Sequence, residues 1–114
     1  MEIREERQDG ILVIAPVGRV DSSTAGELER RLLRGLKGGE TRLIIDLESV
    51  AYISSAGLRV LLLAANTARP QGSQIVLCSM GASVREVFEL AGFTTVFAIE
   101  ASRDLALARL RGAS

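Results

Sequence analysis

Two short stretches hold the side chains whose types and spacing suit chemistry: Arg19-Val20-Asp21-Ser22-Ser23-Thr24 and Ala51-Tyr52-Ile53-Ser54-Ser55-Ala56-Gly57. Both are rich in hydroxyls, and each follows an apolar run and precedes a helical pattern. Ser55 falls in the first turn of the second helix, where unpaired amides carry roughly half a positive charge. Such a place accommodates an anion, including one attached covalently to the serine. A phosphate on Ser55 would add about −1.5 to −2 charges, which the helix end tolerates and a partner fitted to a neutral hydroxyl does not. Gly57, having no side chain, lets another surface approach. On position alone, the plainer reading, that Ser54 or Ser55 is simply an N-cap, is the stronger one. Asp21 reads as both an N-cap and a partner contact.

Other chemistries are poorly supplied. The chain has no histidine, so the usual base for a serine nucleophile and the commonest metal ligand are both missing. No Gly-x-x-x-x-Gly-Lys-Ser/Thr loop is present to cradle a nucleotide. Asp21 and Asp46 are two carboxylates without further ligands, too few to hold a cation. Asp46, in a strand, should be tied to loop amides. The single cysteine, Cys78, sits in an apolar run and excludes an internal disulfide framework. No enzyme activity, cofactor or metal is expected. Fourteen basic and fourteen acidic residues cancel, so no overall field draws the chain to nucleic acid or an anionic membrane. The charge-dense start, Met1 to Gly10, is unlike a signal peptide, and no apolar stretch is long enough to span a bilayer. A cytoplasmic location is expected.

The elements that must position these residues follow from periodicity. With 114 residues, 47% of them hydrophobic, the chain suits one domain over 1–114. Glu2 to Gln8 and Ile11 to Val17 form a hairpin across Asp9-Gly10, with Pro16 at a bulge or open edge. Ser22 to Lys37 is an amphipathic helix, with Asp21 capping its first amides and Thr24 and Glu27 at capping-box spacing. Leu43 to Leu47 and Gln74 to Ser79 are buried strands. After Leu47 a loop leads to a largely buried helix that runs from Ser54 to about Arg69. Ser83 to Ala91 is a short helix closed by Gly92, and Thr94 to Ile99 a last strand. Ser102 caps a terminal helix that runs to about Arg111. Phe88, Phe93 and Phe97 belong to the core, and the Arg30, Arg31 and Arg34 cluster, interleaved with Glu27 and Glu29, is a solvated helix face. The order β-β-α-β-α-β-α-β-α gives an α/β fold: a mixed, mostly parallel sheet with an N-terminal antiparallel hairpin and about four helices. Sites in such sheets form where strand C-termini meet helix N-termini.

The stretch Asp46-Leu-Glu-Ser-Val-Ala-Tyr-Ile-Ser-Ser-Ala-Gly-Leu58 resembles the signature of the STAS domain, the family of bacterial anti-sigma factor antagonists. Gly18-Arg-Val-Asp21 followed by Ser22-Ser-Thr-Ala25 resembles that family's first loop and helix start, and element order and length fit over nearly the whole chain. The resemblance implies a phosphorylation switch. The unmodified domain binds an anti-sigma factor that is also a serine kinase, which releases a sigma factor. The kinase then phosphorylates a serine just before the Ala/Ser-Gly pair, and a PP2C-type phosphatase reverses this. That serine corresponds to Ser55, with Asp21, Ser22, Ser23, Thr24, Ser54, Ala56 and Gly57 on the partner-binding surface around it. The family usually has aspartate where this chain has Ser54; the change removes a charge and makes Ser54 a rival acceptor. STAS-like domains also serve unswitched, in stress-sensing complexes and in lipid or anion transport systems.

Overall fold

A computed structural model describes residues 1–112; the last two residues of the span 1–114 lie outside the described residues. The chain runs β1 (Glu2–Gln8), β2 (Ile11–Val20), α1 (Ala25–Lys37), β3 (Arg42–Asp46), β4 (Val50–Ile53), α2 (Ser55–Ala68), β5 (Gln74–Cys78), α3 (Ala82–Leu90), β6 (Ala98–Glu100) and α4 (Arg103–Arg111). A 3-10 turn, Arg69–Gln71, closes α2 and is followed by Gly72 at φ 74°. The sheet order is β1-β2-β3-β5-β6, with β4 paired to the far end of β2. Among the described residues only β1 is antiparallel to its neighbour. This is the α/β architecture expected, with four helices and an opening hairpin.

The hairpin turns through Asp9 and Gly10 at φ 54° and 76°, the paired left-handed conformation of a two-residue I′ turn. Strand alternation then sorts the core into two layers. Leu12, Ile14, Leu43, Ile45 and Leu77 face α1, α2 and α3, while Ile11, Val13, Ile44, Val76 and Cys78 face Ala106, Leu107 and Leu110 of α4. β3 and β5 are therefore apolar on both faces, as a strand with helices above and below must be. Cys78 is fully buried, and that burial pushes its thiol up to about 11, leaving it inert at neutral pH.

The acid at the end of β3 is 3% exposed and fully occupied. Asp46 Oδ1 accepts the Glu48 amide at 3.0 Å, and Oδ2 accepts Nε of Arg103 at 2.8 Å. Arg103 also donates to Glu6 and, at 3.1 Å, to Gln8, tying the start of α4 to the hairpin. Burial disfavours its charge, but the hydrogen bonds to Glu6 and Asp46 outweigh that and raise its pKa. Arg109 with Glu100 and Arg111 with Asp9, each at 2.8 Å, hold the other end of α4. On the opposite face, Glu5 receives both Arg31 and Arg34 of α1.

Four local expectations need correction. Val50–Ile53 is a strand rather than loop, because β2 runs on past Pro16 to Val20 and offers it a partner. Pro16 sits between the β3 and β4 pairings, and a register shift at Gly18/Arg19 follows it. Thr94 to Phe97 is turn, and only Ala98–Glu100 joins the sheet. There Phe93 and Phe97 pack edge-on against Phe88 and tilted against each other, with centroids 6.1–6.4 Å apart, and the Val96 amide donates to Phe93 O. α1 begins at Ala25, not Ser22, since Asp21–Thr24 closes on itself as a turn. The Thr24–Glu27 capping box does not form: Thr24 makes no side-chain cap, and Glu27 pairs with the N-terminal amine at 3.6 Å.

Candidate functional site

The two hydroxyl-rich stretches meet because β2 and β4 run parallel and end together. Val20 stands opposite Ile53, and the Ser54 amide donates to Val20 O at 2.9 Å. The loop after β2 thus lies beside the N-terminus of α2, at the C-terminal edge of the sheet where such folds form sites. Neither stretch has this geometry alone. It depends on a strand pair whose members lie some thirty residues apart in the chain.

Within the first loop Asp21 is the organiser. Its Oδ1 accepts the Ser23 hydroxyl at 2.7 Å and the Ser23 amide at 3.0 Å. The Asp21 amide donates to Thr24 Oγ1 at 2.9 Å, and that hydroxyl donates onward to Arg19 O at 2.9 Å. Ser23, with help from Arg19 3.6 Å away, holds the Asp21 carboxyl below its ordinary range. The loop therefore presents a fixed negative charge at neutral pH. Asp21 caps the Ser23 amide of this turn, not the first amides of α1. Ser22 and Ser23 are exposed, and Thr24 is half-buried.

The second stretch separates its two serines. Ser54 is the N-cap of α2, extended at φ −96° and ψ 176°, and its Oγ accepts the Gly57 amide at 3.4 Å. It is half-buried. Ser55 is the first helical residue and is exposed; among the described residues its hydroxyl has no hydrogen-bond partner. The hydroxyl free for an incoming group is that of Ser55, while Ser54 is engaged in shaping the helix start. α2 carries no acid in its first turn, so no side chain of the helix start itself opposes a new negative charge.

Ala56 is half-buried, and Gly57 is buried. A Cβ on Gly57 would lie 2.7 Å from Ile53 Cγ1, 2.8 Å from Val20 Cγ1 and 3.1 Å from Val20 O. The close approach it permits is thus by this chain's own strands, not by a second surface; the helix must come this near for Ser54 to reach Val20. Gly57→Ala is expected to cost about 1–3 kcal/mol of stability, because the neighbours are strand atoms that cannot swing aside. Urea unfolding measures it, and a loss under about 0.5 kcal/mol would show that the helix start has room to move.

Beside these residues stand two that sequence patterning did not single out. The Arg19 guanidinium lies 4.4 Å from the centroid of the Tyr52 ring, and the ring is 39% exposed. They are register partners on β2 and β4, so their stacking became visible only with the strand that was expected to be loop. At an exposed position the contact is worth about 0.5–1 kcal/mol. Ser83 at the start of α3 donates to Ala51 O at 3.5 Å, closing the rim. Among the described residues no group of three or more acidic, Cys or His side chains is placed to hold a metal. None of their helices is long and apolar enough to cross a membrane.

Comparison with known proteins agrees with this geometry. The family model described as STAS domain matches residues 2–106. BtrV of Bordetella bronchiseptica, described as an anti-sigma factor antagonist, is 41% identical over 99% of this chain and 97% of its own. A crystal structure of an anti-sigma factor antagonist from Mycobacterium paratuberculosis superposes with a TM-score of 0.89 at 25% identity, covering 96% of this chain and 93% of that one. The Bacillus antagonist SpoIIAA, solved in unphosphorylated and phosphorylated forms, shares the fold with TM-scores of 0.75 and 0.74 at 18% identity. It is covered to 99% in each form, against 97% and 96% of this chain. From the Asp46–Leu58 motif, the sheet that carries it and these relatives together, the chain belongs to the STAS domain family, among the anti-sigma factor antagonists.

Proposed function

We propose that this chain is a partner-switching regulator whose state is written on Ser55. Unmodified, it binds an anti-sigma factor serine kinase through the Asp21–Thr24 loop and the start of α2, and the sigma factor is freed. Phosphorylation of Ser55 by that kinase ends the contact, and a PP2C-type phosphatase restores it. Ser55 is here a substrate, not a nucleophile. The observation that carries this reading is the division of labour at the head of α2: Ser55 is exposed and unengaged, while Ser54 is spent on the cap. The fixed charge of Asp21 supplies a specific contact for a cationic group on the partner.

Repulsion in the modified state follows from placement. The phosphate would add about −1.5 to −2 charges near the Asp21 loop, on a surface matched to something else. That SpoIIAA keeps one fold in both its forms supports a switch that acts on the surface and spares the scaffold. The test is incubation with the cognate kinase and ATP followed by site mapping by mass spectrometry. Label on Ser55 is expected, and it should persist in Ser54→Ala. Label confined to Ser54, or none, would remove Ser55 from the role.

A further inference from the structure

One turn beyond Ser55 stands an arginine that the structure leaves uncommitted. The burial of α2 divides it cleanly: Gly57, Leu58, Val60, Leu61, Ala64 and Ala68 are buried, while Ser55, Arg59, Leu63 and Asn66 form the exposed stripe. Arg59 is the only charged residue between Ser55 and Ala68. Arg4, Arg31, Arg103 and Arg109 are engaged by carboxylates, but Arg59 has no ion pair or hydrogen bond among the described residues. Residues at i and i+4 are surface neighbours on a helix, and helical side chains lean toward the N-terminus. By that rule a side chain at position 59 can reach the turn that carries Ser55.

We propose that Arg59 receives the phosphate carried by Ser55 and holds it in a pair within the helix. The inference rests on Ser55 being the modified residue and names the group that reads the modification in cis. An anion preceding a cation by four residues is the favourable orientation of such a pair. A guanidinium offers two parallel N–H groups to phosphate oxygens. Asp21 and Arg19, where β2 ends beside the start of α2, already pair with each other across 3.6 Å. Arg59 is thus the cation of α2 itself that is free to respond. Phosphorylation then has two effects on the surface: it adds an anion and withdraws an exposed guanidinium from any partner. The captured phosphate is also stiffened, which sets how readily a phosphatase engages it.

The experiment installs phosphoserine at position 55 by genetic encoding, so that no kinase is needed, and follows the phosphorus resonance by NMR through its second ionisation. Three proteins are compared: the unsubstituted chain, Arg59→Lys and Arg59→Gln. Arg59 is exposed, so folding should survive in each, which circular dichroism verifies. Pairing stabilises the dianion, so the second pKa should lie lower by about 0.3 unit or more in the unsubstituted protein than in Arg59→Gln. Arg59→Lys should recover part of that difference. Identical titrations in the unsubstituted protein and Arg59→Gln would overturn the pairing. A failure of the cognate kinase to label Ser55 would instead overturn the switch and leave this measurement untouched.

Discussion

Ser55→Asp is expected to weaken binding to the anti-sigma factor kinase at least about 100-fold while the urea midpoint stays where it was or rises slightly. The two halves of this result have separate causes. Asp at the first position of α2 places a negative charge where the helix end is positive, and a carboxylate there typically adds about 0.3–1 kcal/mol to stability. The first turn of α2 contains no other acid, and Ser55 is exposed, so the side chain enters water and displaces no packing. The same charge is a liability in the complex. It lies beside the Asp21 loop, must be desolvated when the partner closes, and meets a surface fitted to a hydroxyl. Like-charge juxtaposition in an interface costs several kcal/mol, hence the size of the loss. Ser55→Ala should bind as the unsubstituted chain does and accept no phosphate. Calorimetry with the kinase, paired with urea unfolding of each variant, measures both halves. Unchanged affinity of Ser55→Asp would mean that the head of α2 is not in the interface. Lost stability would mean that the hydroxyl has a structural duty.

Arg103→Leu should produce the largest loss of stability of any single replacement considered, about 2–3 kcal/mol. The reason lies with its partner. Asp46 is 3% exposed and ends β3 between two layers of core, so removing the guanidinium strands a carboxylate with only the Glu48 amide. Breaking a buried pair on one side commonly costs about 3–5 kcal/mol. The Arg103 side chain is 27% exposed, so water reaches part of the pair and the expected figure falls to the bottom of that range and below it. Arg103 also links α4 to Glu6 and Gln8, and α4 is the helix that covers the Ile11, Val13, Ile44 and Val76 face. Adding Asp46→Asn to Arg103→Leu should recover much of the loss, because a neutral amide is cheaper to leave half-satisfied than a charge. A double-mutant cycle by urea unfolding gives the coupling directly. If the two replacements simply add, the ion pair is not what holds this corner.

Much of this molecule is legible one residue at a time. The buried strands Leu43 to Leu47 and Gln74 to Ser79 announce themselves as apolar runs, and Ala25, Leu28, Leu32 and Leu36 recur at helical spacing and are all buried. Asp9-Gly10 specifies its turn, and Ser102 its cap, through conformations available only to certain side chains at those places. Val50–Ile53 resisted, since it is four residues long with Ala51 and Tyr52 exposed at its centre, too short for alternation to show. Thr94 to Phe97 misled for the opposite reason: its β-branched and aromatic residues suit a strand, but the aromatic cluster with Phe88 takes the Phe side chains first.

The sequence by itself determined most of the elements and their order, though not β4 or the start of the last strand, together with the family motif and the pair of serines on which a switch could act. Those properties are local: backbone preference and side-chain period extend only over neighbouring residues. The tertiary structure alone decided which serine stays free, that Gly57 turns inward against Val20 and Ile53, that Arg19 stacks on Tyr52, and that Asp46 finds Arg103 from far along the chain. Each of these depends on strand register and on which helix face packs against which strand. Those are fixed only when distant segments bury their apolar surfaces together, and no local pattern encodes them.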